Sequence, residues 1–345
     1  MPRETKNTKR KRKWRTDSLE CRIRKLYANF GQQKPMGSLN IQDTRTPFFF
    51  LHRTFLGEQD LLIIFKTKRC RYNCNFCSLS TLSSSSWVSE SEILSQFEYV
   101  IVELKHSLSV LDRITISNNG SVLDGKTMSP ATLVKIAKCI KEIRRIHTMV
   151  LESRLEFFDN LIMEKIRAVN PRLSINILAG FETLNTFIRD DILDKKESIK
   201  TFEKGLDKVA ESGVDLTAFV LYKPSHLMSD SDAYLEAEDS IEYLVKNCNE
   251  RGIDLTIRLN PMFAAKGSKW AKIAFETPGY QPPRLSDVLE LAQAKLREGI
   301  PVYIGLSTEN LDLDKGSYKC REDYSEKLLN RAILFNNNKL SKLRF

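Results

Sequence analysis

From Pro47 onward, short and nearly unbroken apolar runs alternate with longer stretches at helical spacing. Leu61 to Thr67 is the first run, too apolar for a half-exposed strand and predicted to be a buried one. Beyond the serine run Ser83–Ser86, Ser89 with Glu92 forms a capping-box signature for a helix to about His106. The spacing then predicts strands over 113–117, 148–151, 173–180, 216–222, 254–259 and 301–305. Helices are predicted between them. One opens at Ser129-Pro130, with proline at the first helical position; one spans 158–169 and stops at Asn170-Pro171. Others span 198–212 (ending at Gly213, a C-cap signature), 231–250 and 285–298. Repeated strand-then-helix units predict an α/β fold with a parallel sheet and crossover helices. The regular spacing favours a partial (β/α)6 barrel over a split doubly wound sheet. In barrels of this kind active sites lie on the loops after the strands.

The flanks read differently. Residues 1–45 are polar and mixed, a basic tail and approach segment with a short helix predicted over 17–30. Residues 46–310 hold the barrel and 311–345 form a C-terminal extension. Of the net charge of +10, residues 1–16 carry +7, eight Lys and Arg against Glu4 alone. Such a run, with Trp14 inside it, suits a phosphate-contacting arm or a solvated tail. The hydrophobic fraction of 41% is ordinary for a globular core. No apolar run approaches the roughly 18 residues that span a bilayer, and the N-terminus lacks a signal-peptide apolar region. The expectation is a soluble, cytoplasmic protein with no membrane partner. Cys21, Cys139, Cys248 and Cys320 are isolated, which argues for a reducing compartment rather than a disulfide framework. Cys139 and Cys248, in apolar helical patterns, are expected in the core.

The remaining three cysteines lie within eight residues, Cys70-Arg-Tyr-Asn-Cys74-Asn-Phe-Cys77, directly after the first predicted strand. Spacings of three and two on one loop are expected to bring three thiolates to one point, a donor set for an iron–sulfur cluster or zinc. Structural zinc wants four ligands, often as two pairs. No second pair exists, and His52, His106, His147 and His226 are scattered. Four irons held by three cysteines leave one iron open. Polar groups follow the later strands: Asn118-Asn119-Gly120-Ser121, Glu152-Ser153-Arg154, Gly180-Phe181-Glu182, Lys223-Pro224 and Asn260-Pro261. Glycine at 120 permits close backbone approach. Arg154 can pair a carboxylate in bidentate fashion. Glu152 and Glu182 can accept from a ribose or an ammonium group. Each alone is an ordinary solvated loop residue; at equivalent strand ends they form a candidate site.

The C-x3-C-x2-C spacing resembles the signature of the radical S-adenosylmethionine (SAM) superfamily. Several stretches together resemble its Elongator catalytic-subunit-like branch, in particular the archaeosine-forming radical SAM enzymes of tRNA modification: Asn119–Asp124, Glu152–Phe157, Ala179–Thr183, Leu221–Pro224, Leu259–Pro261, and the pattern from Lys266 to Pro283. The resemblance covers roughly residues 46 to 300. It implies a 4Fe–4S cluster on Cys70, Cys74 and Cys77, with SAM chelating the open iron. Phe76 would lie beside the adenine, and Asn119, Gly120, Ser121, Glu152, Arg154 and Glu182 around SAM. Glu152, Lys223 and Asn260 are the candidate catalytic residues, Lys223 and Asn260 lying on the substrate side from their places after the later strands. It also implies tRNA as substrate, bearing a lysine-derived side chain on 7-deazaguanine, an electron donor, and a partner protein of the same modification pathway. The chain departs from that family in its short gap between the first two cysteines. Ser78-Leu79 follows the third cysteine where the family has Gly-Tyr, and Leu155 replaces a proline. Alternatives are another substrate, such as a different RNA base, a peptide or a small molecule, or a non-catalytic zinc-binding nucleic-acid module.

Overall fold

The computed structural model describes residues 43–77, 84–118, 120–262, 264, 268–306 and 326–337. The basic run and the helix expected over 17–30 lie outside them, as do Asn119, Cys21 and Cys320. The elements below belong to the compact unit Gln33–Phe345.

One eight-stranded sheet runs in sequence order: β1 (Phe49–Phe55), β2 (Glu58–Phe65), β3 (Arg113–Asn118), β4 (Thr148–Glu152), β5 (Ser174–Glu182), β6 (Asp215–Tyr222), β7 (Leu255–Pro261) and β8 (Val302–Ile304). β1 pairs antiparallel with β2, and every later neighbour is parallel. The parallel strands are buried on both faces; Leu61 to Phe65 and all of β3 are inaccessible or nearly so, as a sheet covered by helices requires. The covering helices are α1 (Glu90–Glu103), α2 (Pro130–Ile140), α3 (Asn160–Val169), α4 (Ile199–Glu211), α5 (Asp230–Glu250), α6 (Lys269–Glu276), α7 (Leu285–Arg297) and α8 (Glu326–Asn337). Six crossovers join β2 to β8, which is the partial (β/α)6 arrangement that the spacing predicts.

The sheet curls until its two edge strands meet at one end. Phe55 of β1 stacks on Tyr303 of β8 with ring centroids 4.3 Å apart. Buried Asp60 below them accepts from Arg53 Nε at 2.8 Å and from Thr115 Oγ1 at 2.8 Å. The Arg113 guanidinium lies 4.3 Å from the Phe55 ring. These groups close the end where the parallel strands begin. α8 packs against both β1 and β8, and its buried Asn336 binds Ile304 twice, accepting from the N–H and donating to the carbonyl at 2.8 Å each. That clamp occupies backbone groups of an edge strand, which are otherwise sticky.

Three elements differ from expectation. The apolar pattern does not predict β1, which adds a hairpin through Leu56 and Gly57, both at positive φ (50° and 79°) as a tight two-residue turn needs. α6 and α8 are likewise unexpected: α6 has only eight residues, and α8 lies in the C-terminal extension. Cys248 is buried as expected, but Cys139 is exposed. It falls on the solvent side of α2, whose core face is Leu133, Ile136, Ala137 and Ile140. Among the described residues, no helix is long and apolar enough to cross a membrane.

Candidate active site

β2 ends at a fixed point. The Lys66 N–H donates to Gln96 Oε1 of α1 at 2.8 Å, and Gln96 Nε2 donates back to the Lys66 carbonyl at 3.0 Å. The cysteine loop that follows is tied to the loops after β3, β4 and β5. Arg71 Nε donates to Oδ2 of buried Asp124 at 2.8 Å, and Nη2 contacts Oδ1 of the same carboxylate. The Tyr72 hydroxyl donates to Glu156 Oε2 at 2.9 Å, and the Arg154 guanidinium stacks 3.9 Å from the Tyr72 ring. Buried Asn75 donates from its N–H to the Leu193 carbonyl at 2.8 Å and from its amide to the Ile192 carbonyl at 3.0 Å. Its own carbonyl accepts from the Trp270 N–H of α6 at 2.9 Å. The Cys77 N–H donates to the Cys74 carbonyl at 3.1 Å, closing a turn with Phe76 inside it.

Gly120 leaves room for this loop. A Cβ there would lie 2.9 Å from Cys70 Cβ and 3.2 Å from Cys70 Cα. Ser121 is buried and braces the next strand end: its hydroxyl accepts from the Arg154 N–H at 3.1 Å. Glu152 is half-buried at the end of β4, and its carbonyl accepts from the Val122 N–H at 3.1 Å.

A buried charge network lies behind the loop. β5 is irregular between Gly180 and Glu182, and Glu182 adopts φ 71°, which turns its side chain out of the strand's alternation. Lys195 Nζ lies 3.4 Å from Glu182 Oε1 and 3.3 Å from Glu197 Oε2. Glu197 in turn pairs with fully buried Arg189 at 3.3 Å. Arg154 Nη1 donates to the Lys195 carbonyl at 2.7 Å, and Arg154 Nε contacts Glu156. Cys74 Sγ also donates to the Lys195 carbonyl, at 3.8 Å. Burial opposes the Arg154 charge, but Glu197 and Glu156 more than offset it and hold the guanidinium protonated.

The described residues separate into two sets. The cysteines, Phe76, Gly120, Ser121, Arg154 and Glu182 share the rim of β2 to β5. Lys223 and Asn260 stand farther along that rim, at the ends of β6 and β7. Lys223, buried and at φ 63°, donates from Nζ to Asp230 Oδ1 at 2.8 Å in the first turn of α5, so its charge is engaged away from the cysteines. Asn260 Oδ1 is buried with no hydrogen-bond partner among the described residues, and Gly305 lies close against it: a Cβ there would approach Oδ1 to 1.8 Å and force the Asn260 side chain to shift. Sequence reasoning missed Tyr72, Asn75, Glu156, Arg189, Lys195 and Glu197. The last three sit in a run, Arg189 to Glu197, whose charge density reads as solvated. Its apolar signal is Ile192 and Leu193 within it and Ile188 just before it, all buried.

The residues fit a three-thiolate cluster: soft donors on one loop, a backbone cradle at Gly120, and two cations, Arg154 and Lys195, that offset thiolate charge. The spacing alone does not draw the sulfurs together, however. Among the described residues, no three His, Cys, Asp or Glu side chains are gathered to hold a metal. Burial pushes the Cys74 thiol up to about 11, against the opposing pull of Lys195 and Arg154, and raises Cys70 as well, and a metal or cluster takes the deprotonated form.

No family model matches the chain. Archaeosine synthase subunit beta of Thermococcus kodakarensis is 24% identical over 285 residues, 79% of this chain and 83% of that protein. The chain resembles the archaeosine synthase beta subunits. The Methanosarcina acetivorans protein of the same name is 22% identical over 241 residues, 68% of this chain and 66% of its own length. An uncharacterized protein of Methanocaldococcus jannaschii is 25% identical over 291 residues, 81% of this chain and 77% of its own. Among solved structures, methylornithine synthase aligns with 92% of this chain and 87% of its own, at 13% identity and TM-score 0.48. The radical SAM methyltransferase TsrM of Kitasatospora setae aligns with 61% of this chain and 38% of its own, at 10% identity and TM-score 0.41.

Proposed function

We propose that this chain is a radical SAM enzyme of tRNA modification, with Cys70, Cys74 and Cys77 as ligands of a 4Fe–4S cluster and SAM at the open iron. The observation that supports it most is the three-cysteine loop tied at the strand ends to a ring of buried Arg154, Glu182, Lys195 and Glu197. A structural zinc knot needs a fourth ligand and no such ring. When bound, the cluster and SAM supply reductive cleavage of SAM to methionine and a 5′-deoxyadenosyl radical. The protein's own part is orientation. Arg154 offers its remaining Nη2 to a carboxylate, Glu182 and Glu152 offer acceptors for ammonium or ribose groups, and Phe76 offers a ring face for a base. The buried strand ends beneath exclude water.

The similarity to proteins named archaeosine synthase subunit beta favours a 7-deazaguanine nucleotide with a lysine-derived side chain, cleaved to leave an amidine. It equally favours a second protein as partner, since those relatives are named as subunits. The electron comes from a separate donor, in a reducing, cytoplasmic setting. Substrate-side contacts fall to Lys223 and Asn260, and Asn119, beyond the described residues, to the SAM side.

Anaerobic reconstitution tests the reading. The protein should hold about four irons per chain and, once reduced, release 5′-deoxyadenosine from SAM. Cys74→Ala should lose both properties. Stoichiometric zinc without iron sinks the reading. The modified nucleosides of tRNA from cells lacking the gene test the substrate separately. An unchanged profile, with SAM cleavage intact in the purified protein, would remove tRNA and leave the radical chemistry.

A further inference from the structure

Lys195 is the residue at which the parts of this site cross. Its carbonyl accepts from Cys74 Sγ and from Arg154 Nη1, while its ammonium, 4% exposed, lies between Glu182 and Glu197. The residues on either side, Asp194 and Lys196, are both in the left-handed region, at φ 50° and 58°. Non-glycine residues rarely adopt that conformation, and two in three positions persist only where the surroundings enforce it. The backbone is thereby held so that one residue delivers both groups inward.

The network also ends in two loose atoms. Arg154 Nη2 and Glu197 Oε1 are buried and have no hydrogen-bond partner among the described residues. One is a donor and the other an acceptor, and they flank Lys195. Buried charged atoms left unpaired are costly, and natural proteins keep them where a ligand or water completes them. An ion network serving stability alone would saturate its own partners.

We propose that Lys195 is the positioning residue of the cofactor pocket: it sets Arg154, Glu182 and Glu197 to receive the zwitterionic amino-acid end of SAM. This rests on the radical SAM reading above. The carbonyl takes Nη1 of Arg154 and leaves Nη2 for a carboxylate. The ammonium lies between two carboxylates that would otherwise repel each other, and leaves Oε1 of Glu197 for an ammonium group.

The test uses reconstituted full-length chain, with SAM binding read by equilibrium dialysis and by the change that SAM makes in the electron paramagnetic resonance signal of the reduced cluster. Lys195→Met should keep about four irons per chain. It should lose the SAM-induced spectral change and weaken SAM binding at least about tenfold, the scale of one charge-assisted hydrogen bond. The KM for SAM should rise while kcat for 5′-deoxyadenosine at saturating SAM stays near wild type. Lys195→Arg should restore affinity to within about threefold. Should Lys195→Met fail to fold, with two buried carboxylates lacking their cation, Lys195→Gln, which keeps a donor between the carboxylates without the charge and leaves Glu182 and Glu197 intact, decides the matter. Weak SAM binding in that folded variant supports the proposal. Wild-type affinity in either variant overturns it. Wild-type chain that holds no iron, or holds it and binds no SAM, brings down the radical SAM reading, and the proposal with it, a result distinct from wild-type affinity in the variants.

Discussion

At the scale of single residues, the site depends on places where a side chain is absent. A Cβ at position 120 would meet Cys70 Cβ and Cα, parts of the backbone neighbourhood that cannot swing aside. At position 180 the obstacle is different: the nearest atom is Glu182 Oε1, at 2.2 Å, the end of a flexible side chain. The two substitutions should therefore fail differently. Gly120→Ala should displace Cys70 and cut iron retention after desalting to less than half. Gly180→Ala should retain iron but push Glu182 off Lys195 and weaken SAM binding. Iron content and SAM dialysis on the same preparations check this; full iron in Gly120→Ala would show that Cys70 does not depend on that close approach. The sequence made Gly120 legible, because glycine after a strand in an Asn-Asn-Gly turn is a recognisable pattern. It left Lys195 invisible, because a lysine inside Asp-Lys-Lys-Glu looks solvated until the φ values and burial of its neighbours are known.

At the scale of elements, the alternation of apolar runs and helical spacing located β2 to β8 and most of the helices covering them, usually to within a few residues. It failed where the pattern was short or mixed. β1 carries His52 and Arg53 amid aromatics; α6 spans only Lys269–Glu276, and α8 stands apart behind a polar stretch. The cap of α1 was fully legible. Ser89 Oγ accepts from the Glu92 N–H at 3.3 Å, and Glu92 Oε2 accepts from the Ser89 N–H at 2.8 Å. The Ser89 hydroxyl, Thr44 hydroxyl and Ser89 N–H together lower the Glu92 carboxyl from 4.5 to about 2. A carboxyl with a lowered folded pKa contributes stability that is complete above its ordinary value and is lost as pH falls toward the folded one. Ser89→Ala should cost about 1 kcal/mol at pH 7. Glu92→Gln should be destabilising at pH 7, with its difference from wild type shrinking as pH falls from 4.5 toward 2. Urea midpoints at pH 7 and pH 3 measure both, and a pH-independent difference for Glu92→Gln would show that its charge contributes nothing. The helix matters to the site because its Gln96 fixes where β2 ends and the cysteine loop begins.

At the scale of the whole molecule, the two ends of the barrel are built for opposite purposes. Phe55, Tyr303, Arg113 and Asp60 fill the end where the parallel strands begin, so any ligand approaches from the cysteine rim. A rim built of loops suits one nucleotide of a large polyanion better than it suits a small metabolite sealed inside. The charge distribution points the same way: +7 of the net +10 lies in residues 1–16, leaving the rest of the chain close to neutral. If that run binds phosphates, removing it should weaken tRNA binding at every salt concentration. It should also flatten the plot of log K against log salt by roughly 0.7 to 0.9 for each phosphate that is no longer neutralised, because each released counterion contributes that much. SAM cleavage measured without tRNA should not change, since the proposed cofactor ligands, from Cys70 to Glu197, lie outside residues 1–16. Binding to an unmodified transcript should fall as much as binding to the substrate, because phosphate contacts carry no base information. A filter-binding series from about 50 to about 200 mM salt, the range over which such contacts are strongly screened, separates the outcomes when the full chain is set against the chain lacking residues 1–16. Equal slopes would assign the run to solvent and leave recognition to Lys223, Asn260 and their neighbours on the rim.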